Sequence, residues 1–331
     1  MTRLSSNEFT DTVSEYRKLH DDGATSSDER KGAYSTLVNQ YYDLVTDFYE
    51  MAWGDSFHFS PRFKHEKFYA ALKRHERFLG RKLRLAPQMK AVDLGCGVGG
   101  PARYMASHFG HDVVGVNANA HQLGRARKLT QKAGLQDRVS FAEADFMNLP
   151  FEDGTFDAAY GIEATCHAPD RVKMFSGVKR ILKPGARFAV YEWALTDNYD
   201  GNDPEHRRIK KEIEEGDGLP DLAHTSEIDH AFEAAGFEVL ETKDLAGEGD
   251  PETPWYQSLT GGDFSLSSLP RTPVGRVITN NALNVLQKLR LVPEGTKQVS
   301  DFLNAAADGL VAGGERKLFT PMYFVLAKVP D

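Results

Sequence analysis

Cysteine is nearly missing from this 331-residue chain: Cys96 and Cys166 are the only two. Both sit inside motif-like stretches, so a disulfide framework is not expected. No apolar run approaches the roughly 18 residues that cross a bilayer, and the N-terminus is too polar for a secretory signal. Positive charge is not in surplus either. Lys and Arg number 40 against 48 Asp and Glu, a net charge of −8, whereas a nucleic-acid surface would be basic. No internal repeat is present. These absences leave a globular chain of the cytosol or its membrane faces. Its 40% hydrophobic content supports a sizeable core over one large domain or one and a half.

What is there is organised around Ala91-Val-Asp-Leu-Gly-Cys-Gly-Val-Gly-Gly-Pro101. A short apolar run ends in Asp93, a glycine turn follows, and Pro101 opens a helical pattern. Strand, glycine loop and helix start form a nucleotide site, because glycines let the backbone approach a ligand and free N–H groups favour an anion. Gly95, Gly97 and Gly100 also satisfy the dinucleotide spacing. A bare strand-to-helix turn is the bland alternative.

Residues 1–36 are polar and read as a flexible N-terminus, with a loop at 21–28. Tyr41, Leu44, Val45, Phe48 and Ala52 recur at helical spacing, and aromatics crowd where that spacing stops, at Trp53, Phe57 and Phe59. A second helix spans about 64–83. Strands are expected at 112–117, 139–144, 156–162, 187–193 and 237–245, and helices at 122–133, 171–182 and 226–235, with a turn at Lys183-Pro-Gly185. This alternation implies a parallel sheet with right-handed crossovers. Residues 246–320 are loop-rich and then helical. A last strand, Met322–Lys328, suits the antiparallel final strand of a methyltransferase sheet better than a dehydrogenase.

A dinucleotide reader should carry an acid about 20 residues past the glycines. The second strand ends instead at Asn117, which weakens NAD without selecting S-adenosylmethionine. Asp93 can orient an ammonium at a cofactor's amino-acid end. Asp145, with Phe146, ends the third strand, where it can read an adenine amino group or simply cap a turn.

Several stretches together resemble the sterol 24-C-methyltransferase family: Tyr41–Glu50, Trp53-Gly54, Ser56–Phe59, Asp93–Pro101, Ala144–Met147, Ile162-Glu-Ala-Thr-Cys-His-Ala-Pro169 and Tyr191-Glu-Trp193. So do Gly216–Pro220, Pro254–Tyr256, Gly309–Gly314 and Phe319–Met322. The likeness runs from about residue 37 to the end. This chain departs at Ala52, where the family usually has glycine, and at Met51, often aromatic there. An Asn at 117 is the family norm.

The resemblance implies an α/β class I methyltransferase fold: a Rossmann-like, mostly parallel seven-stranded sheet with helices on both faces. It divides the chain into a helical cap at 37–86, a cofactor-binding core at 87–245 and a C-terminal region at 246–331, the cap and insertion closing an apolar tunnel over the sheet edge. It implies methyl transfer from S-adenosylmethionine to C24 of a sterol bearing a 24-alkene, leaving S-adenosylhomocysteine. A C25 cation, a hydride shift and a deprotonation follow. Such a site must be dry, must stabilise a cation and must hold one base. Tyr49, Trp53, Phe57 and Phe59 are the expected sterol contacts, and aromatic faces, Tyr191 and Trp193 included, meet the cation. Glu50, Glu163 and Glu192 are the candidate carboxylates. The base is Glu163 or His167, placed on one face if they span one helical turn, or Tyr49 with Glu50. Asp93, Gly95, Gly97, Asn117, Gln122, Asp145, Phe146 and Ser56 are expected to hold the cofactor, and no metal is called for. Peripheral contact with endoplasmic reticulum or lipid droplets, and a homo-oligomer, are also expected. Another small-lipid or amine methyltransferase, or a non-catalytic sensor on the same fold, remains an alternative.

Overall fold

The computed structural model describes residues 4–20, 25–260, 273–289 and 291–331. In chain order the elements are α1 (Ser6–Leu19), α2 (Ser27–Gly32), α3 (Tyr34–Trp53), α4 (Phe68–Lys82), β1 (Lys90–Leu94), α5 (Gly100–Phe109), β2 (Asp112–Asn117), α6 (Ala120–Lys132), β3 (Val139–Glu143) and β4 (Phe156–Ile162). They continue with α7 (Arg171–Ile181), β5 (Leu182–Leu195), α8 (Pro204–Asp217), α9 (Thr225–Ala234), β6 (Glu238–Asp244), α10 (Gln257–Thr260), α11 (Pro273–Lys288), α12 (Thr296–Glu315) and β7 (Phe319–Lys328). The chain divides into two compact units. One gathers Met1–Ala52, Thr196–Leu222 and Trp255–Phe319; the other gathers Trp53–Leu195, Ala223–Pro254 and Thr320–Asp331.

The second unit carries the sheet, in the order β3-β2-β1-β4-β5-β7-β6. Strands β1 to β5 pair in parallel, and β7 runs antiparallel to β6. The central strands β1 and β4 are buried along nearly their whole length, which explains their apolar runs. A core of Phe175, Phe188, Phe232 and Phe237 fills one side. The Lys183–Gly185 turn is not a separate break: strand β5 already begins at Leu182, and the register shifts against β4 at its start, between Phe156 and Ala158.

The first unit corrects the reading of a flexible N-terminus. Ser6–Leu19 is a helix whose start is closed by a capping box between Ser5 and Glu8. Its polar composition hides a stripe of Phe9, Val13 and Tyr16, which packs with Leu37, Tyr41, Leu44, Val45 and Val299. Helix α8 was also not anticipated. It packs on α12 through small residues: a Cβ built on Gly216 would lie 2.0 Å from the Ala306 Cβ, and one on Gly309 would lie 2.9 Å from the Glu212 Cβ.

Candidate active site

Strand β1 delivers Asp93 to the carboxyl edge of the sheet, and three of the next six residues, Gly95, Gly97 and Gly99, have positive φ. Glycine is required there for two reasons. The left-handed backbone disfavours any side chain, and a Cβ on Gly95 would meet the Ala164 Cβ at 2.4 Å. Gly100 is constrained differently: its Cβ would strike the Asp55 carbonyl at 1.9 Å. Gly97 has only a Phe57 ring carbon, at 3.7 Å, within reach. It opens onto a cavity lined by Asp55, Phe57, His58, Asp93, Gly97 and Ile162.

Asp93 is 2% exposed, and its Oδ2 has no hydrogen-bond partner among the described residues. Burial pushes its carboxyl up to about 8, eased by Tyr160, its register partner on β4, and raised again by Glu76. An orphaned carboxyl at the edge of a cavity fits a ligand with a positive end. At the end of β2, the Asn117 side-chain amide donates to Gln122 Oε1 at 2.7 Å, tying two expected cofactor residues into one group. Asp145 Oδ1 accepts from the Met147 N–H at 2.8 Å, so this carboxylate does cap its turn; Phe146 beside it is half-buried.

The second cluster lies one step along the edge. Glu163 follows β4 with φ +52, next to Ala164, the residue that packs on Gly95. Its Oε1 accepts the Phe59 N–H at 2.7 Å and its Oε2 accepts the Trp193 indole N–H at 2.8 Å. Burial pushes Glu163 up to about 7, against the His58 charge and those two bonds. The Phe59 and Trp193 rings lie 6.1 Å apart beside it. Sequence reasoning missed what supports this cluster. Glu76, on α4, accepts from Ser56 Oγ at 3.0 Å and contacts His58 Nε2 at 3.1 Å. Burial pulls the imidazole down, but Glu76 and then Glu163 more than offset it, so His58 is raised. The signal was available: Leu72, His75, Glu76 and Leu79 share one buried face of α4, and a carboxylate among them needs a partner.

Other expected residues fall elsewhere. Ser56 is buried, with its hydroxyl given to Glu76. Glu163 and His167 do not form one α-helical turn. Glu163 is left-handed and only Thr165–His167 is helical, as a 3-10 turn, so the shared face expected from their spacing does not arise that way. His167 is buried. Glu192 points to the sheet face opposite Trp193, as alternation on a strand demands. It is fully buried, and neither carboxyl oxygen has a partner among the described residues. Burial pushes it up to about 8, eased by Arg171. Tyr191 stacks on His75 with centroids 3.8 Å apart and is a core residue. In the first unit, the Tyr49 hydroxyl meets that of Tyr41 and donates to Asp217 Oδ1 at 3.2 Å; burial raises its pKa, so it stays a neutral donor. Glu50 is half-buried on α3, and the Trp53 side chain lies outside the described residues.

Sheet order, antiparallel last strand and a glycine loop beside an orphaned acid together define a class I S-adenosylmethionine-dependent methyltransferase. Residues 92–190 match the family described as methyltransferase domain. The cyclopropane synthase MmaA2 of Mycobacterium tuberculosis shares the fold at TM-score 0.69 and 17% identity, over 89% of this chain and 98% of that one. The geranyl diphosphate C-methyltransferase of Streptomyces coelicolor does so at 0.62 and 17%, over 89% and 98%.

Residues 266–331 match the family described as sterol methyltransferase C-terminal. The chain is 46% identical over 329 residues to the cycloartenol-C-24-methyltransferase of Arabidopsis thaliana, covering 99% of this chain and 97% of that protein. It is 46% identical over 320 residues to the sterol 24-C-methyltransferase ERG6 of Saccharomyces cerevisiae, covering 94% and 83%. The chain belongs to the sterol 24-C-methyltransferase family, with S-adenosylmethionine as its methyl donor.

Proposed function

We propose that this enzyme methylates C24 of a sterol carrying a 24-alkene and that Glu163 is the base that completes the reaction. The observation that supports Glu163 is its setting: a buried carboxylate, held at both oxygens, one residue from the contact between Ala164 and the glycine loop. S-Adenosylmethionine supplies an electrophilic methyl group on a sulfonium. The alkene π pair forms the C24–methyl bond, and the sulfur–methyl pair stays on sulfur. Positive charge appears at C25, and a hydride moves from C24 to C25. A proton then leaves the new methyl group, giving a methylene.

The chain's tasks follow from its own groups. Asp93 pairs with the donor's ammonium, Asn117 and Gln122 with ribose hydroxyls, and Asp145 and Phe146 with the adenine. Phe57, Phe59 and Trp193 offer ring faces to the cation, which attract it without capturing it. Trp193 and the Phe59 N–H stabilise the ionised form of Glu163 and fix its direction, leaving the carboxylate to take the proton. The apolar surroundings that raise Glu163 also keep water from the cation.

The test is turnover with methyl-labelled S-adenosylmethionine on Δ24 sterols and a side-chain-saturated control. Label enters only the alkenes. In Glu163→Gln, methyl transfer continues slowly but no base takes the proton from the new methyl group, so the methylene product gives way to alkenes formed by proton loss from other carbons. An unchanged product spectrum would remove Glu163 from the role of base.

A further inference from the structure

The first unit holds a cavity of its own, and no residue of the second unit lines it. Its volume is about 250 Å³, and its lining includes Arg30, Tyr199, Arg207, Lys210, Lys211 and Glu214. Four of these are permanent cations and one is a carboxylate, in a chain whose net charge is −8. Arg207, Lys210, Lys211 and Glu214 stand at i, i+3, i+4 and i+7 of α8 and so share one helical face. Arg30, on α2, closes the cavity opposite them.

The rest of α8 shows how the helix treats an ordinary surface cation. Arg208 donates to both oxygens of Glu205 at 2.8 Å and pairs with Glu212, so acids stand three residues before it and four after. Arg207 meets like charges instead, three and four residues on, which costs stability in a helix. Its guanidinium donates to the Gly201 carbonyl at 2.9 Å and has no carboxylate in ion-pair range among the described residues. Arg30 is 8% exposed. Its Nε donates to the Pro220 carbonyl at 3.2 Å, and its Nη2 lies 3.8 Å from Glu214 Oε2. Glu214 is engaged inward: its Oε1 accepts the Leu222 N–H at 2.8 Å and meets Lys210. The Lys210 ammonium also reaches Asp221 at 2.6 Å, and Asp221 is shared in turn with Lys31 at 2.8 Å. The acids here fasten the α8 network to residues 221 and 222, while the guanidinium groups of Arg30 and Arg207 face the cavity with backbone carbonyls as their nearest hydrogen-bond acceptors.

Two guanidinium and two ammonium groups around one cavity fit a compact ligand with more than one anionic group. A concave cationic lining focuses the field on such a ligand, and guanidinium pairs best with oxyanions that accept two parallel bonds. Phosphate compounds meet both demands. We propose that this cavity is a binding site for a small soluble diphosphate, separate from the methyl-transfer site. The ligand bridges Arg30 of α2 to Arg207 and Lys211 of α8. It relieves the repulsion along α8 and ties α2 to the segment at 217–222. The proposal does not depend on which acceptor the enzyme methylates.

The test is calorimetric titration of the full chain with inorganic pyrophosphate, with the protein saturated by S-adenosylhomocysteine. Saturation matters because a glycine loop at a helix start also attracts anions. Pyrophosphate binds at one site per chain and raises the melting temperature above that in sodium chloride of equal ionic strength. The double variant Arg207→Gln, Lys211→Gln binds it at least about tenfold more weakly, the loss expected when charged hydrogen bonds are removed. Both side chains are exposed, and the variant keeps wild-type affinity for S-adenosylhomocysteine, which shows that it is folded. If that affinity is lost, Arg207→Gln alone carries the test, with binding weakened severalfold. Failure of the wild type to bind pyrophosphate would overturn the proposal, as would equal binding by a folded variant. So would the same melting temperature in sodium chloride, which would reduce the effect to screening. Binding seen only without S-adenosylhomocysteine would place the anion at the glycine loop and overturn it too.

Discussion

Glu163 and Glu192 sit 29 positions apart in sequence, are both raised by burial, and differ in the partners that oppose it. Glu163 is raised to about 7 and held by two donors, so it ionises within the working range. A base must be ionised, so methyl-transfer turnover should fall about tenfold per pH unit below roughly 7. A pH–rate profile checks this, and Glu163→Gln should flatten it while lowering the rate about 10²-fold or more. Glu192 is raised to about 8 and has no donor, so at neutral pH it is held protonated in the fold. An unfolded Glu ionises near 4.3, about the model-peptide value. Between that value and 8 the folded state binds the extra proton, so stability declines as pH rises through this window and the loss is complete above 8. Glu192→Gln removes that linkage. Its melting temperature should fall less than the wild type's between about pH 5 and pH 8; an equal fall would place the titration elsewhere. Both residues were legible as candidate carboxylates, Glu163 at the carboxyl edge of the sheet and Glu192 within a strand. Their difference was not, because it depends on the Trp193 and Phe59 donors, contributed 30 and 104 positions away.

The elements differ in how openly the chain declares them. Strands β2 and β4 appear at the bounds their patterns predict, because buried central strands are continuous apolar runs closed by turn residues. Helix α1 was hidden, since only Phe9, Val13, Tyr16 and Leu19 face the core and the rest are polar. The 3-10 turn at Thr165–His167 was hidden too: i, i+4 spacing suggests an α-turn, but the left-handed Glu163 prevents it. The contact of α8 with α12 gives a direct test of packing. In Gly216→Ala, helix propensity would gain about 1 kcal/mol. The new Cβ, however, would sit 2.0 Å from the Ala306 Cβ and 2.8 Å from its Cα, and neither is a flexible side-chain end. Overpacking of this kind costs about 1–3 kcal/mol, so the urea midpoint should drop. A rise would mean the helices separate without penalty.

Cofactor binding engages the whole protein through protons as well as contacts. Burial holds Asp93 near 8, although the Tyr160 hydroxyl and the His58 charge both ease it. A cationic ligand lowers that value, so at pH 7 binding of S-adenosylhomocysteine should release a proton, and affinity should rise with pH until about 8. Calorimetry in buffers of different ionisation heat measures the release, and Asp93→Asn should abolish it. At a hundredfold excess over Kd the ligand should stabilise the fold by about 2.7 kcal/mol. The sequence by itself determined the alternation of strand and helix, the glycine loop with its acid, the late antiparallel strand and the family, because these are local patterns read along the chain. Only the tertiary structure decided that Ser56 serves Glu76, that Trp193 holds Glu163 while Tyr191 packs on His75, and that Gly95 answers to Ala164. Those pairings join residues from different elements, and burial then sets their charge. Neither the partner nor the dielectric around it is written in the spacing of the residues.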